Sequence, residues 1–411
     1  MGRQPGSPQG LAATRSREGG IRVTAVVDED LLAAFDESVR DVNEAILIPP
    51  LCYTSEEFFE FEKETIFGHD WLCIGHEGQI PDPGDYFTIT FLDEPLIVVR
   101  GQDEQVRVMS AVCRHRGMVV AEGKGNCSSF RCPYHHWTYG TDGRLLGAAG
   151  MERRVDFDKS EYPLPNLPVE LWNGFIFTSL DPTLPSVAPT LTSLDEFLRN
   201  FRLGEASWLN GGLIEGLPWN WKIMHENFND GYHNNRLHKG IGDFIPCDKA
   251  VFLPFDDNQN HITRYNLTTH IDGSFTPQMK CLLPVFSDLT DDERWRSAFS
   301  LVPPSLALAI VPDQVAYFTI LPKSAGEIDI QIGYLFDPKA MEEPLFDLLF
   351  EQVKAGVHNF NVQDIWADTM VQKGLRSRFA PRGPYSWQEE TLQQFNRWLV
   401  KRYRAGAEAT I

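Results

Sequence analysis

The chain has 411 residues, of which 42% are hydrophobic, and at roughly 100–200 residues per domain that suggests about two to three domains with a sizeable core. Its 37 Lys+Arg against 57 Asp+Glu leave a formal charge of −20, which offers no positive field to a nucleic-acid backbone or an anionic lipid surface. DNA, RNA and membranes are therefore poor partners, and the 12% aromatic content argues against a low-complexity or disordered chain.

Residues 1–20 (MGRQPGSPQGLAATRSREGG) lack the apolar stretch of a secretory signal and read as a flexible tail. Residues 21–70 form an N-terminal arm with helices predicted over 28–45 and 54–67, the second opening with Thr54 and Glu57 at capping-box spacing. From Trp71 the period changes. YFTIT (86–90), LIVVR (96–100), QVRVMS (105–110) and GFIFTSL (174–180) are β-branched and aromatic, punctuated by Pro83-Gly84 and Asp142-Gly143. An all-β module is expected over 71–181.

Residues 182–411 return to mixed patterning, with a helix near 192–203 and a long candidate over 219–238. Strands follow between about 250 and 335, then helices near 340–374 and 388–404. The expected fold is α+β: an all-β module inserted into a larger domain of antiparallel sheet and helices. The most apolar stretch, 301–322, is cut by Pro303, Pro304, Pro312 and Asp313, so no segment reaches the ~20 apolar residues of a membrane span. Seven cysteines, at 52, 73, 113, 127, 132, 247 and 281, are sparse and odd in number. They suit a reducing cytoplasm, which is the expected location.

Two groups of residues carry metal-ligand chemistry. In the β module, Cys113-Arg114-His115 is followed after sixteen residues by Cys132-Pro133-Tyr134-His135. Two thiolates and two imidazoles fit either tetrahedral zinc or a [2Fe–2S] cluster with imidazoles on one iron. Zinc fingers pair Cys with Cys and His with His, whereas each turn here is mixed and lies among strands, which favours the cluster. Cys127, between the turns, reads as a small hydrophobe.

The second group is Asp230, His233 and His238, a D-x2-H-x4-H pattern at the start of the larger domain. On a regular helix His233 and His238 sit about 140° apart, so the helix must bend or loosen between Gly231 and His238. Two imidazoles and one carboxylate on one face suit a non-heme Fe(II) that activates oxygen. Asp230 and the distant Asp364 are both candidates for the carboxylate, and periodicity does not choose between them. His225 and His358, near the two segments, read as supports for the ligands or as structural residues rather than as ligands.

CRHRG (113–117), CPYHHWTY (132–139), ENFNDGYHNNRLH (226–238), Gln363-Asp364 and QKGLRS (372–377) together resemble the terminal oxygenase α subunits of the Rieske-type non-heme iron oxygenases. That family includes ring-hydroxylating dioxygenases and demethylases, and the resemblance runs from about residue 48 to 404. It implies that Cys113 and Cys132 hold one iron of the cluster and His115 and His135 the other. His233, His238 and Asp364 would ligate the mononuclear iron, and Asp230 would bridge to a cluster histidine of a neighbouring subunit. The family usually has glycine where His136 stands, so that turn must accept a side chain.

The resemblance further implies a homotrimer or an α3β3 assembly. No strand-linked G-x-G-x-x-G is present, so electrons must come from an NAD(P)H-dependent reductase, with or without a ferredoxin. The expected substrate is an aromatic compound undergoing ring hydroxylation; the alternative is monooxygenation or demethylation of a methylated amine or ether. A different class, an electron carrier or zinc module, would leave the second group without a task. Phe228, Phe244, Leu306, Leu308 and Trp366 are candidate pocket residues, and Trp219, Trp221, Tyr232 and Trp366 could cage a quaternary ammonium.

Overall fold

The computed structural model describes residues 27–238 and 240–409; the tail expected over 1–20 lies outside them. The arm begins with helix Glu29–Ser38, which is shorter than the 28–45 expected. It stops where Asp41 draws in the backbone and side chain of Asn43, closing a turn that competes with the helix. The second arm helix also differs. Leu51–Thr54 ends first, and Ser55 caps Glu56–Glu62 by accepting from Phe58 N at 3.2 Å, so the cap is Ser55 and not Thr54.

The β module holds a sheet of five strands, in the order Lys124–Asn126, Asp85–Phe91, Glu94–Arg100, Val106–Ser110 and Asn166–Leu167. Alternation along Glu94–Arg100 divides its faces. Leu96 and Val98 join the main core, while Ile97 and Val99 join a separate cluster with Cys113, Cys132, Trp137 and Tyr139. A three-stranded sheet (Ser129–Arg131, Thr138–Gly140, Leu145–Gly147) carries the second Cys/His turn at its first hairpin.

The larger domain is built on an antiparallel sheet of seven strands. Its order is Ser207–Leu217, Glu327–Phe336, Gln314–Ser324, Leu306–Val311, Arg296–Val302, Ile262–Leu267 and Ala250–Phe252. The central strand Leu306–Val311 is buried throughout, because both faces are covered. Ala307, Ala309 and Val311 face the core shared with the long helices, while Leu306, Leu308 and Ile310 face helix Thr192–Leu198 and the small sheet of Leu72–His76 and Phe175–Thr178. Helices Trp221–Asn229, Phe346–Leu375 and Glu390–Ala409 complete the domain. The α+β architecture expected from the patterning is the one observed. Among the described residues no helix is long and apolar enough to cross a membrane.

A buried ion pair ties the arm to this domain. Lys222 Nζ lies 2.7 Å from Glu62 Oε1, with both side chains fully buried. Trp221 Nε1 and Tyr403 OH also donate to the Glu62 carboxylate, so its burial is compensated by three donors.

Candidate metal centres

The helix that opens the larger domain runs only from Trp221 to Asn229, and the backbone turns extended at Asp230 (φ −81°, ψ 120°). The break comes one residue before the Gly231–His238 interval expected, and Asn234-Asn235 starts a short new helix, Asn234–Leu237, where loosening was expected. What fixes the break is a residue the motifs do not announce. Arg264, fully buried on strand Ile262–Leu267, donates from Nε to Asn229 O at 2.8 Å and from a terminal nitrogen to Asp230 O at 3.2 Å. Thr391 Oγ1 also donates to Asn229 O at 2.8 Å. Carbonyls orphaned by the helix end thus meet a cation, the favourable partner for that end of the helix dipole. Burial lowers the Arg264 guanidinium to about 10, which still leaves it charged at neutral pH.

With the chain broken there, His233 and His238 turn toward one another. Their Nε2 atoms are 3.1 Å apart, and Asp364 Oδ1 lies 3.1 Å from the His238 nitrogen and 3.7 Å from that of His233. The three donor atoms come together within 4.8 Å of one another. Donors about 2.1 Å from one ion and at right angles to each other lie about 3.0 Å apart, which two of the three separations approach, while the His233–Asp364 pair is wider at 3.7 Å. Asp364 Oδ1 and His238 Nδ1 are buried without a hydrogen-bond partner, a state that a bound cation would relieve at the carboxylate.

Asp230 does not join them. Its Oδ2 lies 3.0 Å from Nδ1 of His233, and its Oδ1 accepts from Tyr232 N. This geometry fixes the proton of His233 on Nδ1 and turns Nε2 toward the other two donors. Between the two carboxylates left open by periodicity, it is Asp364 whose oxygen meets both imidazoles.

His225 is buried with Nε2 2.7 Å from Pro304 O, and burial lowers it to about 4, so it is a neutral structural residue. His358 is exposed. Beside the histidines Glu226 receives a 2.5 Å hydrogen bond from Tyr53 OH, and burial raises it to about 7, with Glu389 and Asp230 adding to the effect. A carboxylate raised in this way favours the protonated folded state, so it costs stability progressively as pH climbs from about 4.5 through 7. Glu226→Gln is expected to be more stable than the unaltered protein at pH 8 by about 2 kcal/mol. The difference should vanish below about pH 4.5, and urea unfolding at the two pH values checks it.

A cavity of about 70 Å³ opens on the triad. Phe228, Phe275, Phe299, Phe318 and Phe360 line it, and their rings meet at 5.3–6.2 Å in largely edge-on pairs that end on His238. Arg264 lies over the Phe299 ring at 4.3 Å. Of the expected pocket residues only Phe228 lines this cavity. Leu306 and Leu308 face the opposite side of the sheet, Phe244 packs behind Phe275, and Trp366 is 64% exposed. Nor do the four expected residues form a cage. Trp221 donates to Glu62, Tyr232 stacks on Arg236 at the surface, and Trp219 lines a separate chamber. A cleft of about 870 Å³ lies elsewhere, along Glu64–Trp71 and Lys401–Gly406, and contains none of the expected site residues.

In the β module the two Cys/His turns have one shape. Cys113 N donates to Met118 O and Gly117 N to Cys113 O; likewise Cys132 N donates to Trp137 O and His136 N to Cys132 O. The turns bring His115 Nδ1 and His135 Nδ1 within 3.1 Å, and the cysteines of the same turns, Cys113 and Cys132, are buried and free. Trp137 stacks on His115 at 4.9 Å, and Tyr139 OH lies 3.3 Å from Cys113 Sγ. Two buried thiols and two converging imidazoles suit a mixed-ligand [2Fe–2S] cluster. Cys127 packs half-buried against the hydrophobic cluster that contains Cys113 and Cys132, as expected of a small hydrophobe.

The matched turns also explain position 136. Gly117 and His136 occupy equivalent places, and both have left-handed backbone, with φ +76° and +58°. The expected Cys-x2-His spacing leaves His136 outward, and it is exposed. Histidine tolerates this conformation better than most residues but not freely. His136→Gly is therefore expected to raise stability by about 0.5 kcal/mol. Thermal unfolding should show the gain while the visible absorption of the cluster persists; loss of that absorption would mark His136 as a ligand.

Comparison with known proteins decides the family. Residues 194–405 match the ring-hydroxylating alpha subunit catalytic domain, and residues 70–168 match the Rieske [2Fe-2S] domain. The chain is a member of the Rieske oxygenase α subunits. The oxygenase subunit of carnitine monooxygenase from Acinetobacter baumannii is 30% identical over 338 residues, covering 80% of this chain and 85% of that one. Glycine betaine monooxygenase oxygenase subunit from Pseudomonas aeruginosa is 35% identical over 204 residues, 49% and 47% of the two chains. The large subunit of anthranilate 1,2-dioxygenase from Acinetobacter baylyi is 35% identical over 199 residues, 45% and 41%.

Among solved structures, the quaternary ammonium Rieske monooxygenase CntA superposes with a TM-score of 0.74 at 24% identity, over 92% of this chain and 99% of that one. Naphthalene 1,2-dioxygenase from Rhodococcus sp. gives the same score and coverage at 21% identity. These two show the fold. Rieske oxygenase α subunits are enzymes that use a [2Fe–2S] cluster and a mononuclear iron. The electron-carrier and zinc-module readings therefore fall away.

Proposed function

We propose that this Rieske oxygenase hydroxylates an N-methyl group of a small quaternary or tertiary amine, at an iron held by His233, His238 and Asp364. The observation that carries this reading is a triad opening onto a cavity walled by five phenylalanine rings, whose faces attract a desolvated ammonium. The relatives named for carnitine and glycine betaine support it. The iron supplies O₂ activation. The chain's own residues orient His233 through Asp230, exclude bulk water with the phenyl rings, and hold the methyl group against the triad.

Cys113, Cys132, His115 and His135 would hold the cluster that stores electrons, and Asp230 would link a neighbour's cluster histidine to His233. The reaction consumes O₂, two electrons and two protons, turning N–CH₃ into N–CH₂OH and water; the carbinolamine then releases formaldehyde. Electrons come from a separate NAD(P)H-dependent reductase, with or without a ferredoxin, and the assembly is a homotrimer or α3β3. The Rieske module spans 71–181, a division supported by the pairing of Leu72–His76 with Phe175–Thr178 near its two ends.

Ring hydroxylation is the second reading, favoured by the same apolar walls, which also accept a flat arene. The iron-loaded protein, given a surrogate reductase and NADH, is tested on methylated amines and on arenes. Formaldehyde stoichiometric with NADH supports demethylation; a dihydrodiol or phenol with no formaldehyde from any amine overturns it. Sedimentation of an active species as a monomer would contradict the assembly.

A further inference from the structure

Asp364 also lines a second, smaller chamber of about 40 Å³, together with Trp219, Asn227, Asn361 and Asp368. The remaining walls are apolar, among them Leu217, Ile330 and Ile332. Asn227, Phe228, Phe318, Asn361 and Asp364 border both cavities, so the chamber adjoins the one that faces the triad. Trp219 is 1% exposed, and its Nε1 is buried with no hydrogen-bond partner. A buried N–H left unmet costs about 1–3 kcal/mol, and folded proteins leave few of them. Asp368 is buried as well, and its Oδ1 accepts from Asn227 Nδ2 at 2.8 Å, which leaves the carboxyl capacity for a further partner.

The chemistry of these two groups selects the occupant. A metal ion or an ammonium would face the indole N–H, a donor that repels it. A carboxylate would face Asp364 and Asp368. A hydroxyl oxygen satisfies both, accepting from Trp219 Nε1 and donating to Asp368. The space suffices, since about 10–15 Å³ admits one water.

We propose that this chamber is a binding site for a neutral hydroxyl oxygen, held by the Trp219 indole N–H and the Asp368 carboxyl one helical turn beyond Asp364. Two sources share that chemistry: a resident water, or the hydroxyl end of a substrate whose methyl group lies at the triad. The second source rests on the amine reading above; the site itself does not.

Crystal structures of the iron-loaded protein, alone and with choline or its deoxy counterpart ethyltrimethylammonium, test the proposal. The expected result is an oxygen within about 3.0 Å of both Trp219 Nε1 and the Asp368 carboxyl. An oxygen that stays separate from bound choline identifies the resident water. Replacement by the choline hydroxyl identifies a substrate subsite, and then Trp219→Phe should lower the ratio of kcat/KM for choline over ethyltrimethylammonium about 10-fold. Trp219→Phe should lose the oxygen in either case. An empty chamber in every structure, or an oxygen unmoved by Trp219→Phe, overturns the proposal. Should that variant not fold, the structures of the unaltered protein still decide. Absence of turnover with both amines would remove choline as the substrate while leaving the crystallographic oxygen as an independent result.

Discussion

Asp364→Ala is expected to lose the mononuclear iron while retaining the visible absorption of the cluster, and to have no measurable turnover. Two imidazoles would remain, 3.1 Å apart, with no anion to balance a divalent ion. Changing a mere hydrogen-bond partner of a ligand already costs 10–100-fold in metal affinity, so losing the only carboxylate of the triad should cost more than about 100-fold. The fold should not suffer. Asp364 Oδ1 makes no hydrogen bond in the protein, and its removal relieves a buried acceptor. Iron analysis beside cluster absorption checks this, and an alanine variant that keeps two classes of iron would displace Asp364 from the site.

Asp230→Asn tests a different link. Each Asp230 oxygen serves one donor, Oδ1 for Tyr232 N and Oδ2 for the His233 Nδ1–H. An amide has a single acceptor oxygen, so one of those donors would face an NH₂ group, and the negative charge beside His233 would be gone. At saturating Fe(II) both metal centres are expected to remain loaded while turnover falls about 100-fold, with reoxidation of the reduced cluster slowed in parallel. Full product formation would remove Asp230 from its assigned place.

The metal groups were legible because their residue types are rare and their spacing is local. Cys113 with His115, and Cys132 with His135, each come from one turn, and no tertiary contact is needed to see them. The break in the 219–238 helix was also foreseeable, since His233 and His238 could not meet on a regular helix. What held it was hidden: Arg264 and Thr391 act on Asn229 from 35 and 162 residues away, and neither lies in a motif.

Pocket walls were hidden for another reason. Leu306 and Leu308 are candidates by composition alone, and a strand buried on both faces carries no hydrophobic signal of which face is which. The smaller Ala309 faces the triad's cavity instead. On helix Phe346–Leu375, Trp366 lies two residues and about 200° from Asp364, whereas Phe360 lies four residues and about 40° away in projection. Phe360 is accordingly the one that meets His238.

The grip on the helix end at Asn229 and Asp230 is made by protein groups alone. Stripping the ferrous ion with a chelator should therefore leave the chain in shape, unlike small zinc modules that melt without their metal. Adding the ion back would restore occupancy without a refolding step, so maturation of the enzyme need not wait for iron: the scaffold folds first, and the catalytic metal enters whenever supply allows.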